Sequence, residues 1–224
     1  MTTLIVFDLD GTLVDSRRDL ADATNALLAD LGAGPLAMDA VTGMVGEGAA
    51  VLVRRALSAA GLDPDTPGAL DRFLRRYDER LLVHTRPYAG IPEALRALRT
   101  GCVLAVLTNK PAGATARILA GLDLAPYFDH VIGGDSTHGR KPDPAALRYL
   151  MDASSATPAS TVLVGDSRID LETARRAGTR VCLVRYGFGF TSAVGDLRGD
   201  ELMVERPEDL PRALLAPPCR QGSS

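Results

Sequence analysis

The 224 residues carry little net charge, few cysteines and no long hydrophobic run, and each shortage removes a class of function. Basic side chains number 25 against 28 acidic ones, a formal net charge of −3. That balance offers no general attraction to nucleic acid or an anionic membrane, so any anion must be recognised in a local pocket. The three cysteines, Cys102, Cys182 and Cys219, form neither a disulfide framework nor a metal-binding spacing, a usage that suits a reducing cytoplasm. Cys102 and Cys182 lie in apolar runs, where a small buried thiol is the default, and Cys219 lies in a polar tail. No basic segment precedes an apolar one at the amino terminus, and no stretch is long enough to span a bilayer. The expectation is a cytoplasmic protein without export signal, membrane anchor or nucleic-acid partner, as a monomer or homodimer. No internal repeat stands out.

What is present is a composition of 46% hydrophobic and 24% charged residues, normal for a globular chain able to bury a good core. The first apolar run, Leu4 to Phe7, ends abruptly at Asp8. Asp10, Gly11 and Thr12 follow. A short apolar run bounded by turn residues predicts a buried strand of a parallel sheet, whose carboxyl end is where ligands collect. Two carboxylates this close repel each other unless a cation or hydrogen-bond donors hold them, which points to a divalent metal with hard oxygen ligands. The plainer alternative is a turn that opens a loop or caps a helix.

From Ser16, placed to cap a helix reaching about Leu31, the pattern is helical: about 47 to 60, then 67 to 83 with Leu70, Phe73, Leu74, Tyr77 and Leu81 in register. No strand pattern occurs between 16 and about 83. Strands and helices then alternate: helix 91–99, strand 103–107, helix 112–120, strand 130–132, helix 144–153, strand 161–164, helix 171–177 and strand 180–184. A short strand near 202–204 and a final helix follow. Such alternation predicts an α/β fold, a Rossmann-like parallel sheet with helices on both faces, plus an inserted, small, all-helical cap. The expected boundaries are 1–15 and 86–216 for the core, 16–85 for the cap, and 217–224 for a frayed tail. Hinges are expected near Val14–Ser16 and Thr85–Gly90.

Polar residues recur at the carboxyl ends of the strands. Leu107 precedes Thr108-Asn109-Lys110, and Val164 precedes Gly165-Asp166-Ser167-Arg168-Ile169-Asp170. Arg140-Lys141-Pro142 lies ahead of a helix. Singly, each has an ordinary reading: Thr108 and Asn109 as helix caps, Lys141 as a solvated lysine, Asp166 and Asp170 as favouring a helix start. Jointly, at one sheet edge, they converge on a single pocket.

In this order the four motifs resemble those of the haloacid-dehalogenase-like hydrolases in their phosphatase branch, over residues 4 to 186, and the helical insert is similar to that superfamily's C1 cap. The resemblance implies Asp8 as the nucleophile that becomes an aspartyl-phosphate and Asp10 as general acid and base. It implies Thr108 and Asn109 on the phosphoryl oxygens and Lys141 pairing with nucleophile and phosphate. It further implies Mg²⁺ held by Asp8, the main-chain carbonyl of Asp10, and Asp166, with Asp170 behind them. An acid at Asp10 also fits an alkoxide leaving group and not a halide.

Gly46-Glu47-Gly48-Ala49, with Arg54-Arg55-Ala56-Leu57, resembles a stretch in the caps of phosphoglycolate phosphatases. That implies 2-phosphoglycolate as substrate, with Glu47 and Arg55 as cap contacts. Glu47 stands where that pattern often has Asn, so it needs a basic neighbour, Arg54 or Arg55, or must point away. A solvated helix face is the plain reading of both arginines. The alternatives are hydrolysis of a sugar or amino-sugar phosphate, a beta-phosphoglucomutase-like isomerase, and a phosphate sensor without catalysis.

Overall fold

The computed structural model describes residues 2–215. The expected tail at 217–224, with Cys219, lies outside the described residues. Six strands form one parallel sheet: β1 (Leu4–Phe7), β4 (Val103–Leu107), β5 (His130–Ile132), β6 (Thr161–Gly165), β7 (Arg180–Val184) and β8 (Leu202–Val204). Their order is β5-β4-β1-β6-β7-β8. Ranked along the chain this is 3-2-1-4-5-6, the doubly wound order whose switch point makes a crevice at the carboxyl ends of the strands. Asp8 lies at that point. In register, Phe7 faces Val106 of β4 and Val164 of β6.

β1 reads as a continuous apolar run because both of its faces are covered. Leu4 and Val6 pack with Ala146, Leu147 and Leu150 of α7 (Ala145–Ala153) and Leu171 and Ala174 of α8 (Arg168–Ala177). Ile5 and Phe7 join the opposite cluster, with Leu95 and Leu98 of α5 (Ile91–Leu98) and Ile118 of α6 (Ala112–Gly121). Full burial of one such side chain contributes about 1.5–3 kcal/mol. Leu210 and Leu214 of α9 (Leu210–Leu215) close the same layer. Cys102 and Cys182 are buried free thiols.

The insert is helical: α1 (Arg17–Asp30), α2 (Met38–Thr42), α3 (Ala49–Ala59) and α4 (Ala69–Asp78). Leu20 and Leu27 of α1 and Phe73 and Tyr77 of α4 share one apolar cluster, and the last two rings stack 5.8 Å apart. Two elements were not legible in the pattern. α2 has five residues with Val41 alone fully buried, too short for a helical period. A two-residue antiparallel ribbon, β2 (Val14–Asp15) with β3 (Arg86–Pro87), joins the two crossings between sheet and insert. α8 begins at Arg168, three residues before its expected start. Beside the ribbon, buried Asp19 accepts the main-chain N–H of His84 and both the N–H and hydroxyl of Thr85, at 2.7 to 3.0 Å. Among the described residues no helix is long and apolar enough to cross a membrane.

Candidate active site

The end of β1 delivers Asp8 and Asp10, the end of β6 delivers Asp166, and the first turn of α8 delivers Asp170. Asp8 follows β1 directly, and its Oδ1 accepts the Leu9 N–H at 2.7 Å and pairs with Lys141 Nζ at 2.9 Å. Lys141 Nζ also reaches Asp170 Oδ1 at 2.6 Å, so one buried ammonium serves two buried carboxylates. Asp170 Oδ2 accepts the N–H and hydroxyl of Ser167 at 3.1 and 2.6 Å, which also secures the start of α8. The helix-start reading of Asp170 is therefore true as well.

Asp166 accepts the Gly189 N–H on Oδ2 at 2.7 Å. Two glycines make room for it. Gly11 has φ +85°, and a Cβ there or at Gly187 would collide with the Asp166 carboxyl. Carboxylate oxygens of Asp8, Asp166 and Asp170 lie within 4.8 Å of one another. Burial pushes Asp8 up to about 6, against the pull of Lys141 and with Asp170 adding to the rise. Burial, then Asp170 and Asp8, push Asp166 well above the usual carboxylate range. Three hard-oxygen groups with one ammonium among them hold more negative charge than they can stabilise alone, a donor set that fits a divalent cation.

Asp10 has a separate escort. Its carboxylate accepts the Ser16 hydroxyl at 2.5 Å and Lys110 Nζ at 2.9 Å on Oδ1, and Lys110 again on Oδ2 at 2.8 Å. Ser16 stands at the first turn of α1, but no side-chain cap bond forms there, and its hydroxyl turns to Asp10. Lys110 also lies over the ring of Tyr77, 4.6 Å from its centroid. Burial works against the Lys110 ammonium, and Asp10 with Tyr77 outweighs it, raising Lys110 above the ordinary lysine range.

Above these groups opens a cavity of about 510 Å³. Its floor carries Asp8, Asp10, Thr108, Asn109, Lys110 and Asp166, and Leu52, Phe73 and Leu74 line it from the insert.

The chain that carries this rim matches a family model, that of the haloacid dehalogenase-like hydrolases, over residues 5–184. The chain belongs to the haloacid dehalogenase-like hydrolases. This hydrolase is 41% identical over 218 residues to the plasmid phosphoglycolate phosphatase of Cupriavidus necator, covering 96% of this chain and 94% of the relative. To the phosphoglycolate phosphatase of Rhodospirillum rubrum it is 43% identical over 196 residues, 84% of this chain and 81% of that one. Among solved structures it superposes on a predicted phosphoglycolate phosphatase from Haemophilus somnus with a TM-score of 0.86 at 32% identity. That match covers 94% of this chain and 97% of the other.

The hydrolase brings Asp8, Lys141, Asp166 and Asp170 into one cluster, with Asp10, Thr108 and Asn109 beside them on the cavity floor. Neither Thr108 nor Asn109 caps α6, because Asp135 accepts the Ala112 N–H at 2.8 Å. Both amide hydrogens of Asn109 are engaged, on the carbonyls of Gly46 at 3.0 Å and Lys141 at 2.9 Å. Its side chain thus joins the insert to the floor and has no donor left for a phosphoryl oxygen in this arrangement. The expected cap contacts fall elsewhere. Glu47 pairs with Arg55 outside the cavity lining, both about half exposed, and Arg54 pairs with exposed Asp65. Glu47 does find its basic neighbour, but the pair faces solvent. Sequence reasoning missed Lys110, Tyr77 and Ser16 as neighbours of Asp10. Lys110 read only as one of the polar residues ending a strand, with no role of its own, Tyr77 as part of a helical apolar stripe and Ser16 as a cap; a hydroxyl on that stripe was the available signal.

Proposed function

We propose that this hydrolase is a Mg²⁺-dependent phosphatase that cleaves a small phosphate monoester, 2-phosphoglycolate, into glycolate and phosphate. One observation supports the chemistry most: a buried aspartate at the tip of β1 bonded to a buried lysine, with two further buried carboxylates within 4.8 Å. The substrate rests on the likeness to phosphoglycolate phosphatases.

Asp8 is the nucleophile. Its Oδ1 is engaged by Leu9 and Lys141, which leaves Oδ2 to attack phosphorus and form an aspartyl-phosphate. A phosphate oxygen 4 Å from a carboxylate meets repulsion of about 4 kcal/mol per charge pair at an effective dielectric near 20. Lys141 offsets part of it. Asp8, the Asp10 carbonyl and Asp166 would hold Mg²⁺, which supplies Lewis-acid charge neutralisation when bound. Asp170, with both oxygens engaged, holds Lys141 in place. The Thr108 hydroxyl and the main-chain N–H of Asn109 receive phosphoryl oxygens. Asp10, carrying a proton taken from solvent as it turns from Lys110, gives it to the leaving oxygen as the phosphorus–ester oxygen bond breaks; the carboxylate so formed then takes a proton from the water that attacks the aspartyl-phosphate.

Residues 16–85 act as the cap on the remaining core, hinged beside the β2–β3 ribbon, and closure excludes bulk water. The same hydrolysis of another small ester is the second reading, favoured by a cavity roomier than glycolate requires.

The deciding experiment is a panel of phosphate esters assayed with Mg²⁺ and with a chelator, ranked by kcat/KM. Glycolate and phosphate release from 2-phosphoglycolate should lead the panel and stop on chelation. A hexose 1-phosphate turned into its 6-phosphate would establish an isomerase, and binding without turnover a sensor.

A further inference from the structure

Selective hydrolysis of 2-phosphoglycolate requires a receptor for its second anionic group, and the expected one does not line the cavity. Arg55 is consumed by Glu47 and Arg54 by Asp65, both on the exterior. The insert's contribution to the lining is mostly apolar, with Leu52, Phe73 and Leu74. Two cations line the cavity, exposed Arg75 and buried Lys110. Lys110 is the one placed beside the acid that must serve the leaving oxygen.

Its surroundings also hold an unanswered donor. Tyr77 is 4% exposed and lines the cavity, yet its hydroxyl is buried without a hydrogen-bond partner among the described residues. A buried hydroxyl left unpaired costs about 1–3 kcal/mol, so a ligand oxygen placed there is favoured. Lysine carries three N–H donors, and the two short contacts to Asp10 leave one.

We infer that Lys110 and Tyr77 together receive the carboxylate that the leaving portion of the substrate carries one carbon away from its ester oxygen. The inference rests on the phosphoglycolate reading above. The reach is adequate: Lys110 Nζ lies 2.9 and 2.8 Å from the two Asp10 oxygens, so a carboxylate one carbon away from an ester oxygen beside Asp10 comes within hydrogen-bond distance of the ammonium. Binding there exchanges Lys110's partner. As the ammonium takes the substrate carboxylate, the Asp10 carboxyl is freed to rotate toward the leaving oxygen. A substrate lacking the carboxylate leaves Lys110 on Asp10, so the receptor selects the ester at the acid itself. Tyr77 comes from α4 of the insert, so the receptor is complete only when insert and floor meet.

The test is a ratio of kcat/KM values, 2-phosphoglycolate over ethyl phosphate, an ester of similar size without the carboxylate. Wild type should prefer 2-phosphoglycolate. In Lys110→Met the ratio should collapse by about 30-fold or more, chiefly through KM for 2-phosphoglycolate, while Lys110→Arg keeps most of it. Tyr77→Phe should lower the ratio about 3- to 10-fold. A structural defect would depress both esters together and leave the ratio intact, which overturns the inference alone. Should Lys110→Met fail to fold, an unchanged ratio in Tyr77→Phe overturns it equally. A wild-type enzyme without preference for 2-phosphoglycolate overturns the phosphoglycolate reading and the inference with it.

Discussion

The floor and the roof of the cavity are built on opposite principles. The floor places four carboxylates and two ammonium groups in almost complete burial, each held by partners 2.5 to 3.1 Å away. The roof is mostly a stripe of leucine and phenylalanine, its charged members Arg75, Asp78 and Glu79 are exposed, and the Glu47–Arg55 and Arg54–Asp65 pairs nearby face solvent. Buried charge is costly to assemble and severe to disturb, whereas exposed pairs contribute about 0–1 kcal/mol. Substitutions should therefore act strongly on the floor and weakly on the rim.

The largest effect should come from Asp8→Asn: turnover falls about 10⁴-fold or more while circular dichroism and thermal unfolding show a folded protein. Near-normal phosphate release would remove Asp8 as nucleophile. The same variant reports on charge crowding. Because burial pushes Asp8 up to about 6 in the folded protein from the ordinary 3.8, the folded state binds more protons than the unfolded one between those values. Its contribution to stability therefore falls as pH rises through that window. In chelator, wild type should lose Tm relative to Asp8→Asn as pH rises from about 4 to about 6. Parallel Tm curves would show that Asp8 is not crowded.

Lys141→Met comes next. It strands two buried carboxylates, so urea unfolding should show a loss of about 3–5 kcal/mol, and kcat should fall about 10²- to 10³-fold. Asp19→Ala tests the bonds beside the β2–β3 ribbon. It leaves three donors of His84 and Thr85 without their acceptor, and urea unfolding should show a loss of about 3 kcal/mol. The smallest effect belongs to the rim: Glu47→Gln or Arg55→Gln should change stability by less than about 0.5 kcal/mol and kcat/KM by less than about threefold. A tenfold loss in kcat/KM there would return the rim to the substrate site.

Legibility followed the same division. Asp8, Asp10, Thr108 and Asp166 could be singled out because a strand that ends abruptly in a polar residue marks its own carboxyl edge, and the edges of parallel strands lie together; Lys141, ahead of a helix, had only the motif order to mark it. The four inner strands of the main sheet showed as short apolar runs, since burial on both faces leaves no polar alternation to blur them, whereas the edge strands β5 and β8 are three residues each with Val131 and Met203 exposed. The ribbon of Val14–Asp15 with Arg86–Pro87 could not show, because two-residue strands about seventy residues apart have no period. Lys110 stood next to Asn109 in plain view, but adjacency along the chain says nothing about a partner 100 positions away.

By itself, the order of residues determined the alternation of strand and helix, the polar groups at the strand ends and the excess of acid that calls for a cation. These follow from local chemistry and from periodicity, which a linear chain displays. Tertiary structure alone decided that Lys110 holds Asp10, that Tyr77 brings an unpaired hydroxyl beneath the roof, and that Glu47 and Arg55 turn outward. The first depends on β1 and β4 lying side by side in the sheet, and the other two on which way a helix of the insert faces when it packs over the sheet, a choice made by burial of the whole apolar surface and not by any one segment.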